Sequence, residues 1–318
     1  MKQGHFEYLH ERTWKSIEAI LAREADAENR KRLPTLYRAL CQHLALANER
    51  RYSLALIERL DSLVMRAHQR LYQQRASHRL DPLTFLGETF PRSVRQHARW
   101  LLAAALLFYL PLLSMIAWLQ VDPDLIHALM DSDTIASLEQ MYDPAQQRIG
   151  MARDAETDLG MFGFYIFNNT GIGFRNYASG LLFGIGTLAI LLFNSLYIGA
   201  AAGYVTQAGY GAAFWPFVAG HSAFELTAIV ISAAGGLKLG FSLLAPGRLA
   251  RLDALRHAAR ETAPLIGGAA AMFVIAAFIE AFWSSRGDVP PNIKYAVGAV
   301  LWTLTLAYFW LLGRRRGA

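Results

Sequence analysis

Apolar and polar positions are distributed in two different ways along the chain. Up to about Arg99, charged and apolar residues are mixed at helical spacing, whereas from Trp100 onward long apolar runs are broken only by short polar stretches. The first pattern predicts three amphipathic helices. One runs from His5 to Ala25, with Phe6, Leu9, Trp14, Ile17, Ile20 and Leu21 on one face, and ends in the charged run EADAENRKR. The second is entered at Pro34, a residue suited to the first turn of a helix, and continues through Leu36, Leu40, Leu44 and Leu46. The third covers Ser53 to Gln74 with a stripe of Leu54, Leu56, Ile57, Leu60, Leu63, Val64 and Leu71. Three such helices, packed antiparallel, form a small bundle within residues 1–95.

The second pattern predicts a membrane domain over residues 96–318. After the Asp81-Pro82 and Phe90-Pro91 punctuation, WLLAAALLFYLPLLSMIAWL at 100–119 is long enough, at 1.5 Å per residue, to cross a hydrocarbon core of about 30 Å. Further crossings are predicted at 177–204, 263–283 and 293–312. The stretch 212–246 exceeds one ordinary span and is interrupted by Gly235-Gly236, Lys238 and Gly240, which predicts a broken hairpin. Residues 161–172, MFGFYIFNNTGI, are aromatic and too short to span, so an interfacial or re-entrant helix is predicted there. Gly180, Gly184, Gly235, Gly236 and Gly240 are candidates for close helix packing, which would equally serve a homodimer.

Charge sets the orientation. Between Gln120 and Asp158, Asp122, Asp124, Asp131, Asp133, Glu139, Asp143, Asp154, Glu156 and Asp158 stand against only Arg148 and Arg153, which predicts an external acidic segment at 120–175. Arg248, Arg251, Arg256 and Arg260 predict a cytoplasmic amphipathic helix over 247–261 in contact with lipid headgroups, and Arg314, Arg315 and Arg316 predict a cytoplasmic C-terminus. The opening MKQGHFEYLHERTWKS lacks the apolar core of a signal peptide, so the N-terminus is predicted on the same side. Four full crossings plus the hairpin satisfy this arrangement; a strict five-span alternative would place the terminal arginines outside.

Composition narrows the function classes. The 318 residues are 54% hydrophobic and 18% charged, more apolar than one soluble core needs, and the net charge of +6 follows the membrane topology rather than any nucleic-acid signature. Cys41 has no second cysteine to pair with, which excludes an intrachain disulfide and a cysteine-based metal cluster.

The candidate chemistry is His221 and Glu225. Four residues apart on a helix, they lie one above the other on one face, and an intramembrane carboxylate needs a partner or water. Asn194, Asn168 and Asn169 are the candidate additions to this polar site. The pair can be structural glue, a proton- or substrate-handling site, or part of a hydrolase or metal site. Two ligands are too few for zinc and no third is apparent, so neither a metal, a cofactor nor a catalytic residue is assigned. Glu280 is predicted to snorkel or to pair with Arg286, and Lys238 to snorkel.

Three stretches resemble the stage II sporulation protein M family of bacterial membrane proteins. They are FNNTGIGFRNYASGLLFGIGTLAILLFNSLYIGA, GHSAFELTAIVISAAGGLKLG with His221 and Glu225 at the family's spacing, and the lead-in LYRAL to TFPRSVRQHARWLL. Ser222 and Thr227 depart from the family's usual glycine and proline at those places. The resemblance implies the bacterial cytoplasmic membrane, and partners such as peptidoglycan-modifying enzymes or MoxR-type ATPases with von Willebrand A-domain proteins. It implies first a non-enzymatic scaffold in cell-envelope or cell-wall processes, and alternatively a permease-like transporter subunit. An intramembrane hydrolase is the third reading, and it requires a further group beside His221 and Glu225.

Overall fold

A computed structural model describes residues 2–22, 32–76, 81–143 and 155–313. The fold is all-α, with no strand among the described residues. The chain divides into two compact units, residues 1–81 and 82–318.

In the first unit, α1 (Gln3–Leu21), α2 (Leu33–Glu49) and α3 (Leu54–Ala76) close around Phe6, Trp14, Ile17, Leu40 and Leu60, all fully buried. Most of the predicted stripe residues are turned inward, but Leu9 and Leu54, at 51% and 70% exposed, are not. Arg59 of α3 clamps both carboxylate oxygens of Glu11 at 3.0 Å and stacks over the Trp14 ring. Trp14 Nε1 donates to His43 Nδ1 at 3.2 Å. Most of the charged run EADAENRKR, like Arg148, Arg153 and Arg314 to Arg316, lies outside the described residues.

The second unit begins at Pro82, earlier than the boundary near residue 95 that the lead-in to the first apolar run predicts. The reason is α4 (Phe90–Gln96): the Phe90 ring lies where a side chain at Gly268 would otherwise sit, and packs edge-on against Phe309, which ties this segment to the membrane helices. Then follow α5 (Ala98–Leu119), α6 (Ser132–Tyr142), α7 (Ala155–Ala178), α8 (Ile185–Val205), α9 (Gly211–Leu244), α10 (Arg251–Ile279) and α11 (Pro291–Leu311). Four segments, 98–119, 185–244, 251–284 and 291–311, are long and apolar enough to cross a membrane, and the second of them bends at Gly209, where φ is +91°, into α8 and α9.

Side-chain neighbours give the direction of each helix. Ser195 Oγ donates to the Phe108 carbonyl, Gly199 abuts Leu112 and Gly203 abuts Leu119, so α8 runs parallel to α5. Tyr177 meets Thr262 at 2.8 Å while Asn169 meets Glu280 at 3.3 Å, so α7 runs antiparallel to α10. Trp302 Nε1 donates to Ser222 Oγ at 3.1 Å and Gly298 abuts Ala219, so α9 and α11 run parallel. Helices α5, α8 and α10 therefore run one way, and α7, α9 and α11 the other.

Three sequence expectations are corrected here. Residues 161–172 are not a short interfacial helix but the middle of α7, whose 24 residues traverse the bundle. Its mean hydropathy is lowered by Asn169 and Asn176, which are buried against neighbours, while Phe164, Phe167 and Phe174 face outward. The predicted crossing at 177–204 is accordingly split: Tyr177 and Ala178 end α7, and a tight reversal at Phe183 (φ +53°) and Gly184 (φ +83°) starts α8 in the opposite direction. Residues 212–246 are not a broken hairpin but one continuous 34-residue helix, because Gly235, Gly236 and Gly240 face packed neighbours instead of a break. A side chain at Gly236 would meet the Asn176 carbonyl and Thr187 Oγ1 at 2.5 Å, one at Gly180 would overlap the Gly236 carbonyl, and one at Gly240 would overlap the backbone of Gly184.

The basic segment 247–261 is likewise no separate element. Arg248 lies in the turn before α10, and Arg251, Arg256 and Arg260 are exposed on its first turns. Lys238 does not snorkel alone but pairs with Glu261 of α10 at 3.5 Å.

Candidate functional site

The antiparallel pairing of α9 with α10 builds the polar centre. His221 Nδ1 meets Ser284 Oγ at 3.1 Å. Glu225 lies one turn after His221, and Glu280 lies one turn before Ser284. Moving one turn along the shared interface therefore brings the two carboxylates together. His221 Nε2 faces a Glu225 oxygen at 3.7 Å, and one ligating atom from each of His221, Glu225 and Glu280 lies within 4.8 Å of the others. Helix α10 passes into a π-helical turn at Glu280–Ser284, the stretch that carries both Glu280 and Ser284 into the interface.

Helix α7 completes the surround. Asn169, buried, donates through Nδ2 to Glu280 Oε2 at 3.3 Å, and Asn168 Nδ2 donates to Asn169 Oδ1 at 3.0 Å, which fixes the orientation of the second amide. His221 is 5% exposed, whereas the Glu225 side chain keeps 18% of its surface open. Tyr142 at the end of α6 packs on Phe214 and Phe217, and Phe217 packs in turn on the His221 ring. Burial, and behind it the charges of Glu280 and Glu225, push the Tyr142 hydroxyl well above its ordinary range.

Of the residues singled out from the sequence, His221, Glu225, Asn168 and Asn169 are brought into one connected cluster. Asn194 is not: it sits half-buried on α8, next to the Ser195 that bonds α5, and makes no hydrogen bond to the cluster. Glu280 neither snorkels nor pairs with Arg286, the two alternatives its sequence position predicts. Its carboxylate points inward, and Arg286 binds Asp288 at 2.6 and 2.9 Å instead. A third side chain able to serve as a ligand, which sequence spacing left missing, is contributed by a different helix. A carboxylate set in the apolar run AAFIEAFW is the signal that could have found it.

The cluster is distinct from an apolar cavity of about 300 Å³ between α4, α9, α10 and α11, lined by Phe90, Phe224, Met272, Leu304, Tyr308 and Phe309. That cavity offers no acid–base chemistry.

Two carboxylates this close in a low-dielectric surround repel unless a proton or a cation lies between them. As glue, the His221–Glu225 pair would be weakened by a third, like-charged neighbour. As a place where a positive charge is held, it is strengthened.

Residues 98–285 match the family model described as stage II sporulation protein M, and residues 4–73 match a domain of unknown function. The cluster lies wholly inside the first match, and the helical bundle coincides with the second. No curated protein and no solved structure matches the chain.

Proposed function

Because the chain belongs to the stage II sporulation protein M family, as a membrane protein built around an intramembrane polar centre, we propose that it acts as a permease-like unit. In this reading the centre of His221, Glu225 and Glu280 takes up and releases a positive charge during transport. The observation that carries the reading is the convergence of three ionisable side chains within 4.8 Å inside a helix bundle. Ionisable groups there are expensive, and their common use is to mark the path of an ion, a proton or a substrate. The Glu225 side chain keeps 18% of its surface open, the edge at which a charge would have to arrive in this reading.

The test is a flux measurement in vesicles containing the full-length protein and an internal pH-sensitive dye, under an imposed membrane potential. Proton flux above that of empty vesicles is expected, with a drop of at least about tenfold in Glu225→Gln and Glu280→Gln, in line with loss of a general acid–base group. Flux equal to that of empty vesicles, or flux unchanged in both variants, overturns the permease reading.

A second reading, the membrane scaffold that recruits envelope or cell-wall enzymes or an ATPase, is favoured by one separate observation. The first 81 residues form their own compact unit and have their own domain match. A scaffold would depend on the surface of that bundle and would tolerate both Gln variants. Under either reading the cytoplasmic membrane of a bacterium, with both termini in the cytoplasm, is the location we propose.

A further inference from the structure

We infer that His221, Glu225 and Glu280 form a binding site for one divalent first-row transition-metal cation. The inference deepens the preceding section: it rests on the centre being functional and names what the centre binds.

Charge balance is the first argument. Two carboxylates and a neutral imidazole around a dication give a centre of no net charge, which removes the cost of isolated charges inside the bundle. Geometry is the second. Ligands about 2.1 Å from a tetrahedral zinc-like ion stand about 3.4 Å from one another, and the 3.7 Å between His221 Nε2 and Glu225 is already close to that. The 4.8 Å outer limit of the trio requires an inward swing of the carboxylates.

The third argument is how the ligands are held. His221 is 95% buried, since it is 5% exposed, and its Nε2 points into the centre at a distance too long for a hydrogen bond to Glu225. With Nδ1–H donating to Ser284 Oγ, Nε2 presents its lone pair to the ion. The Asn168–Asn169 chain holds one oxygen of Glu280 and leaves the other available. Outer partners of this kind, one on each of two ligands, orient ligands at metal sites.

The donor set selects the class. One imidazole with two carboxylates suits Zn²⁺, Mn²⁺, Fe²⁺ or Co²⁺, whereas Mg²⁺ and Ca²⁺ prefer oxygen alone. Three protein ligands leave at least one position open to water or to a transported group.

The experiment is a Co²⁺ titration of the chelator-treated, full-length protein in lipid nanodiscs, read by the visible absorption of bound cobalt. One equivalent is expected to bind, displaceable by Zn²⁺ and not by Mg²⁺. Glu280→Gln and Glu225→Gln, near-isosteric and checked for an unchanged elution volume, should each weaken binding at least about 100-fold, and Asn169→Leu about 10- to 100-fold. No absorption at one equivalent, or binding retained in both Gln variants, overturns the inference. Binding that disappears instead with His43→Gln assigns the metal to the N-terminal bundle and overturns it equally. The two readings fail separately: absence of cobalt binding with Glu280-dependent proton flux removes the metal and keeps the permease, and cobalt binding without flux does the reverse.

Discussion

Gly240 sits where α9 touches the backbone of Phe183 and Gly184, and a methyl group added there has no flexible side chain to displace. Gly240→Ala should therefore cost about 1–3 kcal/mol, the range for overpacking a closed contact, and lower the thermal midpoint of the detergent-solubilised protein. Gly163 is the control. It lies in α7 with nothing within 4 Å of its would-be Cβ, so Gly163→Ala should be neutral or gain up to about 1 kcal/mol. Equal midpoints for the two variants would contradict the packing role. At this scale the sequence is legible wherever chemistry is local. His221 and Glu225 share a face because they are four residues apart, but Glu280 joins them only through the register of α9 on α10, which no local spacing encodes.

At the scale of elements, α7 is the part the apolar pattern misread. Hydropathy sums a helix over all its faces, so a traversing helix that turns asparagines inward and phenylalanines outward scores below one that is apolar throughout. The three amphipathic helices of the first unit are legible for the opposite reason, since water faces their polar side and the period stands out. If α7 crosses, its two ends are on opposite sides of the membrane. Single cysteines at Leu159 and Leu181, both exposed, in a Cys41→Ser background should then react with an impermeant maleimide from opposite faces of sealed vesicles. Labelling of both from one face would restore the interfacial helix.

At the scale of the whole molecule, the chain is two compact units that answer to different solvents, and the first can be tested by itself. His43 is 8% exposed, accepts from Trp14, and lies against His10 with ring centroids 3.9 Å apart. Burial first, and His10 second, lower the His43 pKa to about 4 from 6.5. Below pH 6.5 the unfolded chain takes up a proton that the folded bundle refuses. The stability linked to His43 is complete above pH 6.5, declines as the pH falls from there toward 4, and changes no further below that. Urea unfolding of the fragment 1–81 should show a midpoint that falls across this window, and His43→Gln should flatten the dependence. A midpoint independent of pH between 7 and 4.5 would remove His43 from the account. The division into a bundle and a membrane unit was legible in the sequence because the change in apolar pattern is abrupt. The boundary itself was displaced because Phe90 belongs by packing to helices almost 180 residues later.

The contact of Gly180 and Gly184 with Gly236 and Gly240 has one more consequence. Backbone meets backbone at two places one turn apart, so α9 cannot slide along the α7–α8 reversal without driving a side chain into a carbonyl. The contact does not by itself bar a tilt about it. Glu225 lies 11 residues up the helix from Gly236, a lever of roughly 16 Å. A tilt of about 5° there carries the carboxylate through more than an ångström, close to the difference between the open trio and a closed coordination shell. If α9 tilts, the glycine seam is its fulcrum, and the polar centre is at the long end of the arm.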